Sequence, residues 1–111
     1  MIDKLFNLKK KVVVITGASG SIGGEISASL AEIGCSVVLL YNKNQPEESV
    51  MKRIKASQSD YAMYMCDVTS EEGLKSSKDS IIKEFGHIDG LINCAGGNHP
   101  RATTSPENSF F

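Results

Sequence analysis

Three glycines spaced three residues apart are the part of this sequence best suited to bind a ligand. Gly17, Gly20 and Gly23 lie in the segment TGASGSIG, between a β-branched run and a segment of helical periodicity. Such a turn leaves free backbone N–H groups at the start of a helix, where a phosphate group binds. No Gly-Lys-Ser/Thr follows, so the segment is not a Walker A loop. The spacing predicts a dinucleotide pyrophosphate site, and the alternative is a tight turn without a ligand.

A second group of polar residues is placed to contact the adenosine ribose of such a dinucleotide. A carboxylate after the second strand commonly binds the ribose hydroxyls of NAD. Here that place is taken by Tyr41, Asn42 and Lys43, and the first carboxylate afterwards is Glu47. Lys43 would attract the 2′-phosphate of NADP, which a carboxylate would repel. We therefore expect NADP as the preferred cofactor and NAD as the alternative, in which Lys43 is only a solvated loop residue.

Alternating apolar runs and amphipathic segments must position these residues. Runs at residues 12–15 and 36–41 lack polar alternation, which is typical of strands buried on both faces. Residues 61–66 predict a third strand, and residues 88–95, interrupted by Gly90, predict a fourth. Segments with helical signals separate them. The order β-α-β-α-β-α-β predicts the α/β class, with a Rossmann-type doubly wound parallel sheet of strand order 3-2-1-4. We expect the N-terminal part of that fold only.

The helical segments carry signals for their buried faces and ends. Four apolar residues at helical spacing predict the first helix: Ile22, Ile26, Leu30 and Ile33. Gly34 is expected to end that helix. Val50 and Ile54 predict the apolar face of the second helix. Thr69 and Glu72 predict a T-x-x-E capping box for the third helix, which should end at Gly86.

Composition limits the function classes. The chain has 111 residues, 41% of them hydrophobic, with twelve basic and thirteen acidic residues and a net charge of −1. A nucleic-acid partner would require a basic excess, which is missing. Three widely spaced cysteines form neither a disulfide framework nor a metal motif. Without a long apolar segment, the sequence predicts a cytoplasmic protein with no membrane partner and no metal.

Together these motifs resemble the short-chain dehydrogenase/reductase family. The family's turn is TGxxxGxG, from which this chain differs because Gly20 comes one residue early and Ser21 takes the usual glycine place. The segment CDVT at residues 66–69 resembles the one whose aspartate contacts the adenine amino group. The alternative role of Asp67 is to cap the following helix.

A third segment, FGHIDGLINCAG at residues 85–96, resembles the family's FGxxDxLVNNAG. The resemblance implies that Asn93 and the Ala-Gly pair after it border the ribose and nicotinamide, and a purely structural amide is the alternative for Asn93. The candidate cofactor site combines all these positions: Gly17, Ser19, Gly20, Ser21, Ile22, Gly23, Tyr41, Asn42, Lys43, Asp67, Val68, Asn93, Ala95 and Gly96.

The segment AGGNHPRATT at residues 95–104 resembles a loop of the short-chain-type D-mannonate oxidoreductases, or fructuronate reductases. That resemblance implies a small-molecule substrate, either a sugar acid or another alcohol or ketone. His99 and Arg101 would then face the substrate carboxylate. The alternative is a Gly/Pro turn with polar surface residues. We interpret residues 98–111 as an incomplete substrate-side loop.

The family's catalytic Ser and Tyr-x-x-x-Lys have no counterpart in this sequence. Four residues after its three tyrosines stand Gln45, Met65 and Val68. We therefore predict no catalytic residue, and expect residues 1–111 to be the N-terminal cofactor-binding part of a single Rossmann domain, inactive alone. The full-length protein would be an NAD(P)-dependent oxidoreductase and a homo-oligomer. The alternative is a non-catalytic nucleotide-binding or regulatory module.

Overall fold

One parallel sheet with helices on both faces organises the chain. A computed structural model describes residues 9–94. Its strands are β1 (Val12–Thr16), β2 (Ser36–Tyr41), β3 (Tyr61–Met65) and β4 (Gly90–Asn93). The helices between them are α1 (Ser21–Glu32), α2 (Glu48–Ser57) and α3 (Glu71–Phe85). The strand order is β3-β2-β1-β4, all pairs are parallel, and the predicted fold class and strand order are confirmed.

Alternate residues of the central strands supply two separate cores. Ile15 and Leu39 point to the face covered by α1 and α2, while Val14 and Val38 point to the face covered by α3. All four side chains are completely buried. This explains why their runs are apolar at every position rather than at every second one.

Small residues form the buried face of α1: Gly23, Gly24, Ser27, Ala28 and Ala31. Of the four apolar residues at helical spacing, Ile22 is 70% and Ile33 45% exposed, whereas Leu30 is half-buried against the core. A Cβ atom at Gly23 would overlap the Gly17 carbonyl, and one at Gly24 would lie 2.9 Å from Val50 Cγ2. The helix therefore lies too close to its neighbours for large side chains on that face.

The predicted capping box of α3 is wrong. The N-cap is Ser70, whose hydroxyl accepts a hydrogen bond from the Gly73 amide at 3.1 Å. Thr69 lies in the turn before the helix, where its amide and hydroxyl both donate to Asp67 Oδ1, at 2.9 and 2.6 Å. The helix consequently begins one residue later than the sequence pattern indicates. The predicted end of the helix is confirmed, since Gly86 follows its last residue with a φ of +89°.

The remaining element predictions differ only at their boundaries. Helix α2 buries Val50 and Ile54 as expected. Strand β4 covers a shorter range than the predicted 88–95, and the last residue of that prediction lies outside the described part of the chain. Gly34 follows α1 with a φ of +103°, a conformation that favours glycine.

Candidate functional site

The carboxyl ends of the strands form a cavity of about 390 Å³. Parallel order brings the β1–α1 turn and the segments after β2 and β3 to this one edge, the usual ligand position in open α/β sheets. Three separate stretches of sequence line it: Gly17, Ser19, Leu40, Asn42, Lys43, Asn44, Cys66, Asp67, Val68 and Thr69.

The glycine turn forms one wall of the cavity, and its three glycines have different reasons to be glycine. Gly17 has a φ of +66°, in the left-handed region. Gly23 is required by the close approach of α1 to Gly17. Gly20 meets neither condition, because its φ is −77° and an added Cβ would lie 3.5 Å from the Gly17 oxygen, an ordinary contact.

Gly20 is also the N-cap of α1 and supplies no side-chain hydrogen bond to the helix. The N-cap residue therefore offers no side-chain acceptor to the first-turn amides of α1. An anionic group can take the place of that cap, since it accepts hydrogen bonds from free amides and interacts favourably with the helix dipole. The donor set of the turn thus fits a pyrophosphate.

The segment after β2 forms the polar wall of the cavity. Asn42, Lys43 and Asn44 are exposed and line the cavity, whereas Tyr41, the last residue of β2, is half-buried and is not part of the lining. The backbone carbonyl of Tyr41 accepts a hydrogen bond from the Cys66 amide at 2.8 Å, which ties the ends of β2 and β3 together. This wall carries one cation and no carboxylate.

Asp67 is the one carboxylate among the lining residues. The Thr69 hydroxyl and amide both donate to its Oδ1, and these bonds hold the pKa of the Asp67 carboxyl below its ordinary value. The group is therefore an anion and a pure acceptor at neutral pH. Asp67 closes the turn before α3 but is not the helix cap, so the alternative role predicted for it is not the observed one.

Asn93 lies at the same edge, on β4. Its Oδ1 accepts a hydrogen bond from the Thr16 hydroxyl at 2.7 Å. The same hydroxyl accepts from the Cys94 amide at 3.1 Å. These contacts join β1 to β4 and fix the orientation of the Asn93 amide, which supports the structural role considered for it.

The structure gathers some predicted site residues around the cavity and leaves others apart. Six lining residues were predicted: Gly17, Ser19, Asn42, Lys43, Asp67 and Val68. Five predicted residues, Gly20, Ser21, Ile22, Gly23 and Asn93, lie at the same sheet edge but outside the lining. Ala95, Gly96, His99, Arg101 and the loop at 98–111 lie outside the described residues.

Four lining residues were missed by sequence reasoning: Leu40, Asn44, Cys66 and Thr69. Two of them have a signal in retrospect. Asn44 continues the polar run after β2, and Thr69 follows Asp67 at the spacing of an Asx turn. Leu40 and Cys66 are apolar and nearly buried, so nothing in the sequence separates them from core residues.

Residues 9–94 show neither of two other features that would indicate a function. These residues contain no cluster of three metal-ligating side chains. None of the three helices is long and apolar enough to cross a membrane.

Known proteins resemble this chain over most of its length. A family model described as short chain dehydrogenase matches residues 11–110. An uncharacterized oxidoreductase, UxuB, of Bacillus subtilis strain 168 is 38% identical over 101 residues, covering 91% of this chain and 36% of that protein. The chain thus spans about a third of this relative's length.

Solved structures agree with the fold. The crystal structure of an NAD⁺-bound xylitol dehydrogenase matches with a TM-score of 0.69 and 36% identity, covering 76% of this chain and 32% of that one. An NADPH-dependent 3-quinuclidinone reductase from Rhodotorula rubra matches with a TM-score of 0.73 and 33% identity, covering 82% and 35%. The two proteins use different cofactors, so the fold alone leaves the choice between NAD and NADP open.

Proposed function

Because the chain belongs to the short-chain dehydrogenase family, we propose that it forms the cofactor-binding part of an oxidoreductase that uses a nicotinamide dinucleotide. The observation that carries this proposal is the cavity at the carboxyl edge, where an uncapped helix N-terminus, a cationic segment and an ionised aspartate converge. The bound dinucleotide would supply the hydride chemistry. The residues of this chain would bind and orient it.

Each wall of the cavity fits one part of the dinucleotide. The turn from Gly17 to Gly23, with Ser19 and Ser21, would hold the pyrophosphate through backbone amides and hydroxyls. Asp67 would accept a hydrogen bond from the adenine amino group, for which its low pKa suits it. Asn93, held by Thr16, would border the nicotinamide side of the site.

The charge of the wall after β2 supports NADP as the preferred cofactor. Lys43 lines the cavity between two asparagines, and the residues after β2 bring no carboxylate to it. A 2′-phosphate placed there would meet a cation and amide donors. NAD would gain nothing from the lysine and would lack the usual carboxylate partner for its ribose hydroxyls.

For the substrate, we propose a hydroxy or carbonyl compound, with D-mannonate and D-fructuronate as the first pair to test. The support is the sequence of residues 95–104, which resembles the loop of D-mannonate oxidoreductases. That loop lies outside the described residues. The homo-oligomer expected for a full-length form is likewise a proposal.

Cofactor preference is tested by titrating the chain and its variants with NADP(H) and NAD(H). Lys43→Ala should weaken NADP(H) binding about ten- to a hundredfold, since a hydrogen bond to a charged group contributes about 1.5–3 kcal/mol. NAD(H) binding should stay nearly constant. Asn42→Asp, at an exposed position that lines the cavity, should shift the preference toward NAD(H) by about ten- to a hundredfold, because the new carboxylate binds ribose hydroxyls and repels a phosphate.

Lys55→Ala is the matched control, since Lys55 is exposed in the last turn of α2 and does not line the cavity. Equal loss of both cofactors in Lys43→Ala would show that this lysine does not bind the 2′-phosphate. A wild-type preference for NAD(H) would contradict the assignment of NADP. Absence of binding to either dinucleotide would contradict the proposed function itself.

A further inference from the structure

Thr69 lines the cavity and makes two hydrogen bonds to a single oxygen of Asp67. Its hydroxyl donates to Asp67 Oδ1 at 2.6 Å, and its amide donates to the same oxygen at 2.9 Å. Each carboxylate oxygen has about two lone-pair positions for accepting hydrogen bonds, so these two bonds use the capacity of Oδ1. The second oxygen, Oδ2, is therefore the one that can accept from a ligand. Both side chains are exposed, so a ligand in the cavity can reach them.

The start of α3 holds the backbone of this turn in place. The Ser70 amide donates to the Asp67 carbonyl oxygen at 3.0 Å, and Ser70 is the N-cap of α3. A Cβ atom added at Gly73 would lie 3.3 Å from that carbonyl oxygen, so the first turn of the helix packs directly on the Asp67 backbone. The Thr69 hydroxyl is thus presented to the carboxylate by a fixed backbone. Without this hydroxyl, one hydrogen bond would remain and the carboxylate could rotate.

An apolar surface lies beside the carboxylate. Leu40 and Cys66 are nearly buried, Val68 is half-buried, and all three line the cavity. An aromatic ring can pack on such a surface while a polar group at its rim binds the ring edge. The Asp67 carboxylate only accepts hydrogen bonds at neutral pH, since its pKa is lowered. The edge that it binds must therefore donate.

We propose that Thr69 is a positioning residue that makes this cavity selective for a 6-aminopurine over a 6-oxopurine. The inference rests on the proposed function, in which Asp67 accepts a hydrogen bond from the adenine amino group. The oxo group of hypoxanthine would instead place an acceptor against Oδ2. The neighbouring N1–H of hypoxanthine does donate, but the carboxylate would have to turn to meet it. Thr69 prevents that rotation by holding Oδ1 with two hydrogen bonds.

A purely structural role of Thr69, in closing the turn before α3, predicts a different result. Loss of a structural hydroxyl would change the stability of the fold and weaken the binding of both purines by the same factor. Loss of a positioning hydroxyl changes the ratio of the two affinities. The ratio therefore separates the two roles.

The test is fluorescence titration of the 111-residue chain with NADPH and with its hypoxanthine analogue, reduced nicotinamide hypoxanthine dinucleotide phosphate. The two ligands carry the same phosphates and differ only in the purine. The wild type should bind NADPH about tenfold or more tightly than the analogue, since an acceptor replaces a donor beside a charged group. Thr69→Val keeps the shape and the amide bond but removes the hydroxyl, and it should reduce this ratio to about threefold or less. Thr69→Ser restores a hydroxyl and should restore the ratio.

Asp67→Asn distinguishes failure of this inference from failure of the proposed function. Its amide group can donate to the oxo group, so the variant should lose or reverse the preference for NADPH. If it does so while Thr69→Val keeps the wild-type ratio, the positioning role is overturned and the proposed function stands. Equal wild-type affinity for the two ligands would also overturn the inference. Absence of binding to both would contradict the proposed function. Thr69→Ala has the same expected ratio and replaces Thr69→Val if thermal melts show that the valine variant does not fold.

Discussion

The three glycines of the turn after β1 are glycine for different physical reasons. Backbone conformation requires glycine at position 17, and helix packing requires it at position 23. Neither reason applies at Gly20, which caps α1 without a side chain. We therefore propose that a ligand approaches the backbone at Gly20, beside first-turn amides that this residue does not cap. Substitutions at different glycines of this segment should therefore affect fold stability and ligand binding separately.

Gly23→Ala should destabilise the chain strongly, because its methyl group would overlap the Gly17 carbonyl. Overpacking of this kind costs about 1–3 kcal/mol, and backbone atoms have little freedom to move away. Gly20→Ser is the comparison, since its Cβ has room and serine is a good N-cap; it should be neutral or stabilising by up to about 1 kcal/mol. Chemical denaturation measures both. Equal destabilisation by the two variants would contradict this division.

At the scale of elements, short polar contacts decide where helices begin and how strands are held. Ser70 begins α3, and Asp67 organises the turn before it. At the other end of the sheet, Asp89 joins the segment before β4 to β1. Its Oδ2 accepts a hydrogen bond from the Val12 amide at 2.8 Å, and His87 Nε2 lies 2.8 Å from the same oxygen. Each contact can be removed without disturbing the apolar core.

Ser70→Ala should lower the free energy of unfolding by about 1 kcal/mol, the usual effect of losing an N-cap hydroxyl. Ser76→Ala is the control, because Ser76 is exposed inside α3 and alanine has the higher helix propensity. Urea denaturation of the two variants and the wild type decides the point. If Ser70→Ala proved neutral, the start of α3 would depend on some other contact.

Asp89→Asn should destabilise the chain at neutral pH, and the difference from wild type should shrink with acid. The hydrogen bond from Val12 lowers the pKa of the Asp89 carboxyl in the folded state. A lowered carboxyl pKa contributes stability above the unfolded value of about 3.9, and that contribution is lost as pH falls through the folded value. Thermal melts between pH 7 and pH 3 would show this, with Asp79→Asn, an exposed position on α3, as the control. A pH-independent difference would contradict the assignment.

Residues 9–94 combine a cavity at one edge of the sheet with a strand, β4, at the other side of β1. The described sheet has four strands, and β4 pairs only with β1. All residues that line the cavity come from positions 17–69. The proposed cofactor binding can therefore be tested on this chain, since the lining does not depend on residues outside the described range.

The 111-residue chain should bind the dinucleotide but show no dehydrogenase activity with D-mannonate or any other sugar acid. None of its tyrosines has a lysine four residues later, and positioned acid–base groups contribute about 10²–10⁴-fold to rate. The measurement is NAD(P)H absorbance under turnover conditions, alongside a mock purification. Turnover above that control would show that another group of this chain performs the proton transfer.

The sequence by itself determined the local features of this protein. The β-branched runs, the glycine turn and the glycines that end α1 and α3 each depend on near neighbours in the chain, so the fold class and the edge that carries the site could be predicted. Most of the polar cavity lining was predicted as well, because loops after parallel strands meet at one edge.

The tertiary structure alone decided which side of a helix is buried and which polar group caps it. Periodicity shows that Ile22, Ile26, Leu30 and Ile33 share one side of α1, but it does not show whether that side meets the sheet. The buried side of α1 is determined by its close approach to Gly17 and Val50, which leaves room there only for glycine, serine and alanine. In the same way, Thr69 donates a hydrogen bond to Asp67 in the turn before α3, and the next residue, Ser70, is the N-cap of the helix. Such outcomes depend on distances between parts of the chain that a sequence pattern does not contain.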